Sequence, residues 1–329
     1  MVVYPQTNSR VTETVREVWV RGKRLQVAVR PGSDGGRPLL LCNGIGATLD
    51  LLQPFVDHLD PAITVVRFDV PGIGGSSLPS RPYRFATLAR LLGHLLDEMG
   101  IGQVDILGIS WGGGLAQQFA FQNPRRCRRL VLVSTATGSI MIPAHPRVLV
   151  KMITPRRYRD SGYATTIAAT LYGGRLRAEP QLARALLEGH ALPASMRGYA
   201  LQLAAGLGWT SLPFLPLLRQ DTLLLAGDDD PIIPLANAKI MNRLIPNATL
   251  HVYPDGHLGL LTHAVVLAPM VAAFLRPPYS RDPRQTDESN LPPERAGLRN
   301  MCSRGLIHLL GRAKDLIIRG GHNKPSPGA

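Results

Sequence analysis

Apolar and polar positions change their rhythm along the chain, and the changes divide it. Residues 12–30, TETVREVWVRGKRLQVAVR, carry two alternating runs about Arg21, Gly22 and Lys23. Alternation on both sides of a short turn predicts an antiparallel hairpin with one open face, as at a sheet edge. The runs then become nearly continuous: PLLLCNG (38–44), TVVRFDVPG (64–72), VDILGIS (104–110) and RLVLVST (129–135). Short unbroken apolar runs predict parallel strands covered on both faces. Between them FATLARLLGHLLDEMG places Leu88, Leu91, Leu92, Leu95, Leu96 and Met99 three and four residues apart, the spacing of one helix face. Strand alternating with helix predicts an α/β fold with a doubly wound, mostly parallel sheet.

The alternation stops near Gly138 and resumes at Asp221 with DTLLLAGDDD, followed by ATLHVYPDGH (248–257). The stretch between is too long for an ordinary connection. Its Tyr, Leu, Met and Ala lie in helix-like segments broken by Pro and Gly, which predicts a helical cap inserted into the sheet domain. The expected organisation is a core over 1–137, a cap over 138–218, the rest of the core over 219–275, and a tail over 276–329. The tail opens with the Pro-rich, polar run PPYSRDPRQTDESNLPPERAG, which reads as a linker.

Composition narrows the class. There are 37 Lys and Arg against 23 Asp and Glu, a net charge of +14. The excess is mostly scattered Arg, with no basic cluster interleaved with aromatics, so nucleic acid is not the expected partner. Cys42, Cys127 and Cys302 are far apart and odd in number, which argues against a disulfide framework or a zinc site. Cys42 and Cys127 read as small core residues. The N-terminal run lacks the apolar segment of a signal peptide, and no stretch is apolar enough for a transmembrane segment. A reducing, cytoplasmic setting is expected.

The candidate chemistry lies in GISWG, Gly108 to Gly112, which satisfies G-x-S-x-G between a buried strand and the helix-compatible run GGLAQQFAFQ. A serine on so sharp a turn needs small neighbours, and Gly108 and Gly112 supply them. A serine hydroxyl is a poor nucleophile until a base takes its proton, so Ser110 calls for an acid and a histidine further along, each just past a strand. LLLAGDDDPIIP offers Asp230, with Asp229 and Asp228 as substitutes within the same run, and YPDGHLGLL offers His257. The order Ser110, Asp230, His257 is that of the nucleophile-elbow hydrolases. An oxyanion would need two backbone donors. The N–H of Trp111 follows the nucleophile, and that of Ile45 lies in NGIGA after the first parallel strand. DVPGIGGSS (69–77) lacks the spacing of a dinucleotide loop and reads as a tight turn.

Taken together, NGIGA, FDVPGIGGSS, PYRF, GISWGGGLAQQFA, TPRRYRDSGY, LYGG, AGLGWTS, AGDDDPIIPLAN and DGHLGLL resemble the intracellular medium-chain-length polyhydroxyalkanoate depolymerases. The resemblance spans about residues 15–275, and the cap phrases and the Trp after the serine make it specific. It implies an α/β-hydrolase fold with an inserted helical cap, and a serine esterase that releases 3-hydroxyalkanoic acids from stored polyester. Ser110 would be the nucleophile, His257 the base and then acid, and Asp230 its orienting partner, with neither metal nor organic cofactor. The implied partners are the polymer or granule surface and granule-associated proteins. Asn43 stands where many hydrolases of this fold have His, as it does in the depolymerase pattern.

Other readings remain. Another Ser-His-Asp hydrolase of a small ester, lactone or carbon–carbon bond would carry the same triad. A granule scaffold with a vestigial hydrolase fold would be expected to lose a member of it. Haloalkane dehalogenases and epoxide hydrolases call for Asp at position 110, and polyester synthases for Cys. In the tail, Leu298, Cys302, Leu306, Leu309, Ala313 and Ile317 fall on one helical stripe beside a net charge of +5 over 276–329. That pattern suits an interfacial helix on the granule, or equally a helix packed on protein.

Overall fold

The structure, a computed structural model, describes residues 13–33, 35–154, 156, 160–188 and 195–276. Apart from Arg276, the expected linker and amphipathic tail lie outside the described residues. The described residues form one compact unit.

Among the described residues eight strands make a single sheet: β1 (Thr14–Val20), β2 (Lys23–Arg30), β3 (Leu39–Cys42), β4 (Val65–Phe68), β5 (Val104–Ile109), β6 (Cys127–Val133), β7 (Asp221–Gly227) and β8 (Ala248–Tyr253), in the order β1-β2-β4-β3-β5-β6-β7-β8. The expected hairpin is β1 and β2, antiparallel through a turn at Arg21 and Gly22, with β1 on the edge. β2 runs antiparallel to β4, and every pairing from β4 to β8 is parallel. Residues over α1 (Gln53–His58) and α2 (Phe85–Glu98) provide the first crossovers, and α3 (Trp111–Gln122) joins β5 to β6.

The unbroken apolar runs are explained by which face each residue serves. Leu40, Ile106, Leu130, Leu132 and Leu224 face a layer that includes Leu88, Leu92, Leu95 and Leu96 of α2 and Phe119 of α3. Leu39, Leu41, Leu107, Val131 and Leu225 face the opposite layer, with Phe55 of α1. Each such residue that passes wholly from water to the interior contributes about 1.5–3 kcal/mol of transfer free energy. Cys42 and Cys127 are buried free thiols in the first layer.

Two charged clusters lie among these layers. Arg30, at the end of β2, donates to the carbonyls of Val56, Leu59, Asp60 and Ile63, and so caps the C-terminal end of α1. Asp105 of β5 accepts a bidentate pair from Arg128 and the N–H of Arg129. The Arg128 guanidinium also holds the Leu275 carbonyl, which ties the last helix to the sheet.

Between β6 and β7 the described residues form five α-helices: α4 (Pro146–Ile153), α5 (Ser161–Tyr172), α6 (Gly174–Ala178), α7 (Pro180–Glu188) and α8 (Met196–Gly206). These are the helix-like segments of the cap sequence. β7 and β8 are joined through α9 (Leu235–Leu244), and after β8 come α10 (Gly259–Thr262) and α11 (Ala264–Leu275). The second of these buries Leu267, Ala268, Val271 and Leu275 against the sheet.

Candidate active site

The parallel strands from β3 to β8 all point the same way, so their C-terminal ends and the loops after them gather at one edge of the sheet. Open α/β sheets bind ligands there. The candidate residues lie after β3, β5, β7 and β8.

Ser110 sits between β5 and α3 with φ 54° and ψ −120°. A non-glycine residue at positive φ is strained, and it persists only where the surroundings enforce it. The enforcing contacts are visible. The Ser110 N–H donates to the Val133 carbonyl at 2.9 Å, and the Ser110 carbonyl accepts from Thr135 Oγ1 at 2.7 Å. A Cβ on Gly108 would overlap the Gly112 carbonyl, and one on Gly112 would overlap the Cys42 carbonyl. The glycines that flank the serine therefore let α3 start hard against β5 and β3. Gly113 is equally constrained, because a Cβ there would meet Thr135, a contact the pentapeptide pattern does not include.

Ser110 Oγ lies 3.0 Å from His257 Nε2, and His257 Nδ1 lies 2.8 Å from Asp230 Oδ2. Asp230 and His257 are buried, with 8% and 4% of their surface exposed. Burial of this kind strengthens the hydrogen bonds and keeps competing water away. Asp230 Oδ1 accepts the N–H groups of Ile232 and Ile233, so the loop after β7 fixes the carboxylate before the histidine meets it. His257 is held through its backbone too, with its N–H on the Tyr172 carbonyl at 2.7 Å.

The other two carboxylates of the run point elsewhere. Asp229 accepts the Gly174 N–H at 2.7 Å and pairs with Arg177 at 3.0 Å, both from the α6 region. Asp228 is exposed. Of the three alternatives, the structure brings Asp230 alone to His257.

The loop of Asn43 to Gly46 lies beside the serine: a Cβ on Gly44 would sit 3.8 Å from Ser110 Cβ. Asn43 shapes this loop from within, accepting the Gly44 N–H at 2.8 Å and donating to the Thr48 carbonyl at 2.5 Å. Ile45 is in this loop, and Trp111 is the first residue of α3, where an N–H has no carbonyl one turn back to bond. Both candidate donors thus belong to segments that border Ser110. The 69–77 loop is the tight turn expected: Asp69 accepts the N–H groups of Leu49 at 2.7 Å and Gly75 at 2.9 Å. Its burial pushes the Asp69 carboxyl up to about 6, against those two hydrogen bonds.

Sequence reading missed the cap's part in the site. Buried Gln202 of α8 accepts the Gly46 N–H through Oε1 at 2.7 Å, and its backbone carbonyl accepts the Trp111 indole N–H at 2.9 Å. Asp255 accepts the Arg175 N–H at 2.9 Å and the Thr262 hydroxyl at 2.6 Å, joining α6 to the turn that carries His257. No short motif marks these residues, since their partners lie far away in the chain. Among the described residues no group of His, Cys, Asp and Glu is arranged to hold a metal, and no helix is long and apolar enough to cross a membrane.

This arrangement is equipped for acyl transfer: a nucleophile within reach of a base, a carboxylate orienting the base, and backbone donors nearby. Comparison with known proteins agrees. The alpha/beta hydrolase fold family matches residues 37–264. A poly(3-hydroxyalkanoate) depolymerase of Ectopseudomonas oleovorans is 49% identical over 79% of this chain and 92% of its own length. A 2-hydroxymuconate semialdehyde hydrolase of Pseudomonas putida is 32% identical over 64% of this chain and 76% of its own. The enol-lactonase of Burkholderia xenovorans LB400 superposes with a TM-score of 0.67 at 23% identity, covering 79% of this chain and 99% of that one, a likeness of fold. The chain therefore belongs to the α/β-hydrolase fold family, and within it to the poly(3-hydroxyalkanoate) depolymerase family of carboxylic ester hydrolases.

Proposed function

We propose that this protein hydrolyses the ester bonds of stored poly(3-hydroxyalkanoate), with Ser110, His257 and Asp230 as its catalytic triad. The observation that carries the reading is the continuous chain from Asp230 through His257 to Ser110, at 2.8 Å and 3.0 Å, ending on a serine at positive φ. The choice of polyester rests on the relative that is 49% identical over most of both chains, against 32% for the 2-hydroxymuconate semialdehyde hydrolase.

Ser110 Oγ attacks the ester carbonyl carbon while His257 Nε2 takes its proton. Asp230 holds the Nδ1–H tautomer and stabilises the imidazolium that forms. The tetrahedral intermediate places its oxyanion toward the N–H groups of Ile45 and Trp111. Collapse breaks the ester C–O bond, His257 returns the proton to the departing 3-hydroxyl oxygen, and the acyl group stays on Ser110. A water, deprotonated by His257, then attacks the acyl carbon and releases the carboxylic acid of a 3-hydroxyalkanoate. As the acyl bond breaks, His257 passes the water's proton to Ser110 Oγ; the serine's first proton has left on the alcohol product, so each cycle consumes one ester bond and one water and regenerates the enzyme.

Such a substrate is an insoluble polyester, so the enzyme works at the granule surface inside the cytoplasm. The intact geometry at Ser110 speaks against a scaffold that has lost its chemistry. The test is to mix purified protein with isolated short-chain and medium-chain granules and analyse the soluble products. Release of 3-hydroxyalkanoic acids by the wild type, and none by Ser110→Ala with an unchanged far-UV spectrum, is expected. Products from the serine variant at the wild-type rate would overturn the assignment.

A further inference from the structure

We propose that Gln202, a residue of the cap, is a positioning residue that aligns both backbone donors of the oxyanion site. The inference rests on the reading of Ile45 and Trp111 as those donors.

The geometry is a clamp with two arms on one residue. The side-chain Oε1 of Gln202 accepts the Gly46 N–H at 2.7 Å, and its carbonyl accepts Trp111 Nε1–H at 2.9 Å. One arm therefore reaches the loop after β3, and the other reaches the residue that follows Ser110. Gln202 is 1% exposed, so an acceptor left without its partner there would go unsatisfied, with no water to replace it. Both bonds are thereby favoured as long as α8 is seated. One turn earlier on the same helix face, Gly198 packs directly on Gly72 in the loop after β4, which fixes the height of α8 above the strand ends.

The effect on the donors follows from peptide planarity. The Gly46 N–H belongs to the peptide that also contains the Ile45 carbonyl, and that unit moves as a plane. Gln202 holds this plane from outside. Asn43 holds the preceding turn from inside, through Gly44 N–H at 2.8 Å. The peptide bearing the Ile45 N–H lies between the two restraints. On the other side, anchoring the indole of Trp111 fixes the first residue of α3, whose own N–H is the second donor. A hydrogen-bond donor displaced by a fraction of an ångström loses much of its preference for the oxyanion over the ground-state carbonyl. Because both arms leave from α8, displacement of the cap would release both donors together.

The test uses the full chain, a soluble p-nitrophenyl alkanoate as substrate, and an alkyl boronic acid that forms a tetrahedral adduct on Ser110. Gln202→Met keeps the length and removes the acceptor. It is expected to lower kcat about 10- to 100-fold, leave KM within about twofold, and raise the Ki of the boronic acid by the same factor as the fall in kcat. The pH profile of kcat/KM should not move, since the His257–Asp230 pair is untouched. Trp111→Phe breaks the second arm while leaving the Gln202 side chain in place, and should shift kcat and boronate affinity the same way by a smaller factor. It carries the test alone if Gln202→Met does not fold, as judged by thermal unfolding. A rise in KM with kcat preserved, or boronate affinity unchanged in the folded variants, overturns the positioning role. Failure of the boronic acid to inhibit the wild-type enzyme would instead overturn the underlying esterase assignment.

Discussion

Asp230 stands 2.8 Å from His257 Nδ1 through one oxygen, while its other oxygen holds the Ile232 and Ile233 N–H groups at 2.9 Å. The carboxylate is thus clamped by its own loop on one side and holds the imidazole on the other. Asp230→Asn retains an acceptor for the loop but presents an amide N–H to Nδ1, which favours the wrong imidazole tautomer. The expected loss in kcat is roughly ten-thousand-fold with the fold retained. Asp229→Asn should leave kcat within a few fold, because Asp229 serves Gly174 and Arg177 instead. Steady-state kinetics of the two variants separate the two carboxylates.

The turn at Ser110 makes a prediction about size alone. Gly112→Ala puts a methyl into the Cys42 carbonyl, backbone that cannot swing aside. We expect a loss of more than about 3 kcal/mol, or no soluble protein. Gly206→Ala, at the end of α8 with nothing within 4 Å of the added carbon, should be neutral or stabilising by up to about 1 kcal/mol. Urea unfolding of the two variants measures the contrast.

Asp69 gives stability a pH dependence of defined sign. Its folded value is about 6, raised above the ordinary 3.8 by burial, so between those values the folded state binds more protons than the unfolded state. Stability from this group is therefore fully present below about pH 4 and is lost as the pH rises through about 6, by roughly 3 kcal/mol. Asp69→Asn cannot titrate there. The difference in unfolding free energy between wild type and this variant should fall from pH 4 to pH 7, and a flat difference would refute the assignment.

At the opposite end of the sheet, Arg128 pairs with the fully buried Asp105 and holds the Leu275 carbonyl. Burial raises the Asp105 carboxyl, and the Arg128 bonds work against that rise. Arg128→Met leaves a buried carboxylate without its charge partner and should cost about 3–5 kcal/mol. The pair sits at the start of β5 while Ser110 follows its end, so kcat per folded molecule should not change. Denaturant melts together with active-site titration distinguish the two effects.

Much of the frame was legible in the chain. Unbroken apolar runs at β3 to β7 follow from strands with helices on both faces, and the period of Leu88, Leu92, Leu95 and Leu96 follows from one buried helix face. The strained turn at Ser110 was legible because the glycines beside it answer a local steric demand. His257 and Asp230 were legible as candidates because each falls just past a strand. Asp230 stood first in the run because it precedes Pro231, with Asp229 and Asp228 as substitutes, since three adjacent carboxylates have the same chemistry and differ only in direction. Gln202 and Asp255 left no mark at all: a lone Gln in a helix and an Asp in a turn are ordinary residues until packing supplies their partners.

By itself, then, the sequence determined the sheet, its helical crossovers, and the types and order of the candidate groups for the chemistry. Those depend on periodicity and on neighbours a few residues away, which a linear chain records directly. Tertiary structure decided how Asp229 turns away to Gly174 while Asp230 meets His257, how α6 and α8 grip the loops around Ser110 and His257, and that Gln202 reaches Gly46 and Trp111. Those contacts join residues far apart in the chain, and they exist only because the cap packs on the strand ends and excludes water from the polar groups between them.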